Sequence, residues 1–393
     1  MNILFISMVD ALPWSGGEPL WVWCAEALLQ RNIQVAFSYK HWMPTPEPLL
    51  RLEKLGACAL YREIPDNPCL VVRGRRKLRR IHARKTRYRH FTIEHWLLTA
   101  VIESDADLVI ITPPSAYALK DIALPLECLQ NEGILYFILS QIEDETAMLS
   151  SEVRTMLRRI YGKALGVAFG STYGKSLLER QLASDIPNGY IFDNPINSSG
   201  RIVAWPNHET ALHMACVGRL DVLCKGQDRL LSALAGEMWR DRNWRLTCYG
   251  EGPDRSYLEA LSRYYKIHSR VRFPGHIDNV EKIWAQEHVF VQPSPKEGTP
   301  MSVVEAMFAG RSGVVTRVGR MPDLIRDGVT GWIADCSIDS IQQALERMWN
   351  ERGHLRDKTE AIHSFISGYW NRHYNETFAD MIIAMMGKTS REQ

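Results

Sequence analysis

Two doubly wound α/β halves are what this chain predicts, and three observations predict them. Short apolar, β-branched runs alternate with longer helical runs, the pattern of βαβ units around a parallel sheet. The alternation stops at a stretch rich in Asn, Ser, Pro and Gly, residues 192–200, and then restarts. The 393 residues, 46% of them hydrophobic, suffice for two cores. Domains are expected over 1–196 and 197–370, with a terminal helix over roughly 370–393 packing back on the first.

Residues 2–7 form an apolar run and read as a first buried strand, followed by a loop holding Pro13-Trp14-Ser15-Gly16-Gly17. Residues 20–31 read as a helix and 34–39 as the next strand. Further strands are expected at 107–112, stopped by Pro113-Pro114, and at 134–140 and 165–170, before a helix over 172–183. Beyond the linker, strands are expected at 212–217, 244–249, 271–273, 289–292 and 313–316. Helices fall at 226–235, 254–265, 280–286, 337–352 and 359–386, and Gly328 to Trp332 reads as a turn. Sheets of this kind bind ligands at the carboxyl ends of their strands.

Composition narrows the possible environments. The apolar stretches are short and broken by proline or charge, so no membrane-spanning helix is expected. The first residues lack the basic start of a secretory signal, and the eight scattered cysteines form no CxxC pair. Both point to a cytoplasmic protein with free thiols. The net charge of +2 hides a block from Arg73 to Arg89 that carries ten Lys and Arg and no acid, so the remainder sums to 2 − 10 = −8. That block suits anionic lipid or a phosphorylated acceptor, or is a solvated excursion. Nucleic acid is the weakest candidate, because few aromatics interleave the charges. The tryptophans Trp14, Trp21 and Trp23 are expected at the site entrance, where they would suit an amphipathic acceptor.

The densest chemistry lies in Lys296-Glu297-Gly298-Thr299-Pro300-Met301-Ser302-Val303-Val304-Glu305-Ala306-Met307. Thr299 is expected to cap a helix and Pro300 to open it. A helix start favours a phosphate, and Glu305, alone in an apolar run, faces either water or specific donors. Carboxylates on both sides of an anion site suit a nucleotide sugar. Glutamates eight positions apart are also common on ordinary surface helices. Upstream, Arg219 and Lys225 stand just past an expected strand, where they either bind phosphate or are solvated. Gly16-Gly17 allows close backbone approach to a phosphate or simply a tight turn. Tyr249-Gly250-Glu251-Gly252-Pro253 either wraps a nucleotide or makes a plain strand-to-helix turn. No metal-ligand spacing, Walker motif or G-x-G-x-x-G is present.

In order, Val217-Gly218-Arg219-Leu220 with Lys225-Gly226, Tyr249 to Pro253, Phe273-Pro274-Gly275-His276, Pro293 to Met307 and Asp327 to Trp332 resemble the retaining glycosyltransferases of family 4. The resemblance spans most of the second half, while the first half shares only its opening strand, Gly16-Gly17 and Asn194-Pro195. It implies the GT-B architecture, two Rossmann-like domains facing across a cleft. It also implies transfer of a hexose from a UDP- or GDP-sugar, in glycan, glycolipid or exopolysaccharide synthesis; the Arg73 to Arg89 block and the tryptophans, not the resemblance, suggest a lipid-linked or anionic acceptor. In this reading Arg219, Lys225 and Glu297 are catalytic. Gly16, Gly17, Gly250, Glu251, Gly252, Thr299, Met301 and Glu305 bind the donor, Glu305 through the ribose and Glu297 through the sugar. No metal or other cofactor is implied, because the cations and helix end carry the leaving diphosphate. Contact with the inner face of a membrane would run through the Arg73 to Arg89 block.

Two departures stand out. The family's first-domain histidine has no counterpart at Ile111-Thr112-Pro113-Pro114-Ser115, and Arg320 and Asp323 replace a usual glycine and glutamate. A sugar-nucleotide epimerase, a transferase acting on a small metabolite and an inert scaffold are the competing readings.

Overall fold

The computed structural model describes residues 1–10, 13–14, 17–62, 93–140, 144–207, 211–371 and 374–392. Contacts divide the chain into two units, residues 1–194 with 373–393, and residues 195–372.

The first unit is built on seven parallel strands, β1 (Asn2–Ser7), β2 (Gln34–Lys40), β3 (Cys58–Arg62), β4 (Leu108–Thr112), β5 (Leu135–Ser140), β6 (Gly166–Phe169) and β7 (Gly189–Ile191). Their order is β3-β2-β1-β4-β5-β6-β7. Because crossover helices cover both faces of a parallel sheet, its inner strands must be apolar on both sides. Leu4, Ile6, Val109 and Ile111 face one core, and Ile3, Phe5, Leu108 and Ile110 the other.

The second of these cores lies under the helix Glu18–Gln30 and the terminal helix Tyr374–Glu392. Phe378 seals it with ring centroids 4.9 Å from Phe192 and 5.4 Å from Phe137. Trp21 is 1% exposed, with its indole N–H donating to the buried Glu18. It is a core residue, contrary to the expectation that it sits at an entrance. Its position on the buried face of Glu18–Gln30 decides this. Trp14 and Trp23 are half-buried against the same core.

The second unit has six parallel strands, β8 (Leu212–Val217), β9 (Trp244–Tyr249), β10 (Val271–Gly275), β11 (Val289–Gln292), β12 (Gly313–Thr316) and β13 (Trp332–Ala334), ordered β10-β9-β8-β11-β12-β13. Trp332 therefore starts an edge strand, and the expected turn at 328–332 ends one residue earlier. The single helix expected over 359–386 is two helices, Thr359–Tyr369 and Tyr374–Glu392. The break has a local cause. Trp370 turns to an extended φ of −95° and ψ of 123°, is 3% exposed, and lies under the Arg320 guanidinium at 4.6 Å. Among the described residues no helix is long and apolar enough to cross a membrane.

Candidate functional site

In the second sheet the strand order reverses between β8 and β11, and a crevice at such a switch point is where α/β sheets take ligands. The chain leaves β8 through Gly218-Arg219 and leaves β11 through Pro293-Ser294. Both loops therefore open at the same carboxyl edge.

There Lys225 Nζ lies 2.6 Å from Glu297 Oε1, with the two side chains 24% and 6% exposed. The same oxygen accepts the Ser294 hydroxyl at 2.8 Å and the Gln292 amide N–H at 3.3 Å. Burial pulls the Lys225 ammonium down, but the Glu297 charge and hydrogen bond outweigh it, and the net shift is upward. Lys225 is thus a firm cation.

Backbone contacts hold the frame. Gly218 N–H donates to the Tyr249 carbonyl at 2.9 Å, Leu220 N–H to the Glu251 carbonyl at 3.0 Å, and the Gln227 side chain to the Arg219 carbonyl at 2.8 Å. Gly250 and Gly252 permit this lacing. A Cβ at either would fall 2.1 Å from the Gly218 carbonyl oxygen or 2.2 Å from that of Leu220. The sequence left this pair open between ligand wrap and plain turn, and its packing role is now plain. Glu251 is exposed. Arg219 is also exposed, and its guanidinium lies 3.8 Å from Asp221.

The helix Met301–Phe308 begins one residue later than expected. Pro300 occupies the cap position, no side chain caps the helix, and the Pro300 carbonyl accepts the Val303 and Val304 amides at 3.0 and 3.2 Å. Thr299 is therefore not the cap. Within that helix Glu305 is buried and accepts the Asn197 amide at 2.8 Å. Burial drives its carboxyl up to about 7, the Asn197 hydrogen bond pulling the other way.

The structure thus joins Lys225 to Glu297 directly and sets Glu305 about one turn into the helix that follows. Gly17 lies in the first unit, just before Glu18–Gln30. Gly16 and the Arg73 to Arg89 block fall outside the described residues.

Gln292, Ser294 and Asn197 escaped the sequence reading. Gln292 and Ser294 did carry a signal, as polar residues ending an apolar strand at a carboxyl edge. Arg320, which departs from the family pattern, is 5% exposed and sits over the Tyr369 and Trp370 rings. Its side chain is committed to that packing. Among the described residues no group of three or more His, Cys, Asp or Glu could hold a metal ion.

Residues 211–351 match the family described as "Glycosyl transferases group 1". Over 166 residues the chain is 30% identical to a subunit of human phosphatidylinositol N-acetylglucosaminyltransferase, covering 41% of this chain and 33% of that protein. It thus spans about a third of the length of that curated relative. The crystal structure of Anabaena HepE with UDP and glucose superposes with a TM-score of 0.72 at 14% identity, covering 98% of this chain and 99% of that one. A glycosyltransferase from Rickettsia africae gives 0.72 at 12% identity, covering 97% of each chain. By sequence over residues 211–351 the chain is similar to the group 1 glycosyl transferases, and nearly its whole length has their two-domain, Rossmann-like GT-B fold.

Proposed function

We propose that this protein is a retaining, family 4-like glycosyltransferase that moves a hexose from a UDP- or GDP-sugar to an acceptor. The Lys225–Glu297 pair at the carboxyl ends of β8 and β11 is the observation that carries this reading. Breaking a glycosidic bond to a diphosphate builds negative charge on the leaving group, and preorganised cations lower that barrier. Lys225 and Arg219 supply them in this reading, so no metal is required. Glu297 would accept hydroxyls of the sugar and Glu305 those of the ribose, because ionised carboxylates are pure acceptors.

The similarity to enzymes named for phosphatidylinositol, exopolysaccharide and inositol 3-phosphate supports a hydroxylated, lipid-linked or anionic acceptor. The HepE complexes with UDP and UDP-glucose support a nucleotide-sugar donor. Incubating the full chain with radiolabelled UDP- and GDP-sugars tests the reaction class. Label passing to water or an acceptor fits the transferase. Interconversion of the free sugar nucleotide would instead make it an epimerase, and inertness towards every donor would leave a binding protein.

A further inference from the structure

We propose that Gln292 and Ser294 are positioning residues that keep Glu297 satisfied when Lys225 turns to the donor's diphosphate. This rests on the donor-site reading above. Three donors converge on the single oxygen Oε1 of Glu297, and only one of them is charged. One ammonium cannot serve the carboxylate and an incoming diphosphate at full strength. When it shifts, a side chain that is 6% exposed loses its counter-charge, which is costly unless other donors remain.

Gln292 and Ser294 are those donors, and they are built in. They are 2% and 0% exposed. The Gln292 amide also donates to the Ser294 hydroxyl at 2.9 Å, so amide, hydroxyl and carboxylate form a chain whose links polarise one another. Thr316 Oγ1 donates to the Ser294 carbonyl and fixes the backbone beneath. Space for the lysine stem lies at Gly218, where a Cβ would meet Lys225 Cε at 3.6 Å and Gln292 Nε2 at 3.9 Å. Neutral donors at a site with a cation already present serve the moment when that cation is elsewhere.

Calorimetry on the full chain tests this with UDP and GDP as diphosphate probes, and with uridine and guanosine as probes lacking phosphate. Ser294→Ala and Gln292→Leu should each weaken diphosphate binding about tenfold, the value of a hydrogen bond to a charged group, and leave nucleoside binding unchanged. Ser294→Thr, which keeps the hydroxyl, should restore it. In a Lys225→Ala background the loss should vanish, because no ammonium remains to be released. Equal losses for nucleoside and nucleotide would reduce both residues to structural supports and overturn the proposal. So would unchanged diphosphate affinity in the two variants. If the wild-type chain binds neither UDP nor GDP, the donor-site reading itself falls.

Discussion

Glu305 and Asn197, 108 positions apart, are joined by a 2.8 Å hydrogen bond from the Asn197 amide to the Glu305 carboxylate. Burial raises that carboxyl to about 7, with the amide opposing it. If the ionised form grips the ribose, nucleotide affinity should rise with pH and level off above about 7. Below that point the change approaches roughly tenfold per pH unit. Titrating UDP and GDP across this range checks it, and Glu305→Gln should flatten the curve. A flat wild-type curve would separate Glu305 from the ligand.

Glu287 should make stability fall as pH rises. Burial lifts its carboxyl to about 7, opposed by hydrogen bonds to Thr247 and Tyr249 and by the Arg272 charge. Tyr249 Oη donates to its Oε1 at 2.8 Å, while Oε2 is buried without a partner among the described residues. With the folded pKa above the unfolded one, the native state holds a proton that the unfolded chain releases. The stabilising effect is complete below about 4.5 and is lost as pH climbs through about 7, by roughly 3 kcal/mol at most. Urea melts against pH should show the slope, and Glu287→Gln should remove this residue's share.

Gly250→Ala should cost about 2–3 kcal/mol. The residue has φ of +131°, and an added Cβ would fall 2.1 Å from the Gly218 carbonyl oxygen. Gly328→Ala is the control. Its φ is +77° but nothing lies within 4 Å, so only the conformational cost of about 1 kcal/mol remains. Urea midpoints of the two variants give the comparison. Equal shifts would mean that the contact with Gly218 carries no weight.

The Arg73 to Arg89 block, outside the described residues, is open to a direct measurement. Replacing Arg75, Arg76, Arg79 and Arg80 with glutamate should abolish cosedimentation with vesicles carrying anionic lipid, and added salt should weaken binding of the wild type. Binding that survives the four substitutions would remove the membrane role.

The chain alone determined the alternation of strands and helices and the motifs at the carboxyl ends of β8, β9 and β11. These were legible because an inner parallel strand is buried on both faces and must be a nearly continuous apolar run, as residues 108–111 and 289–291 are. Of the four edge strands described, Cys58–Arg62, Gly189–Ile191 and Trp332–Ala334 are short and carry weaker signals, while Val271–Gly275 is legible over residues 271–273. Tertiary structure alone decided that Lys225 meets Glu297, that Gln292 and Ser294 share its oxygen, and that Trp21 and Arg320 are packed away. Local periodicity reports which face of an element is apolar. Which distant side chains meet depends on strand order and register, and no short window of residues contains that information.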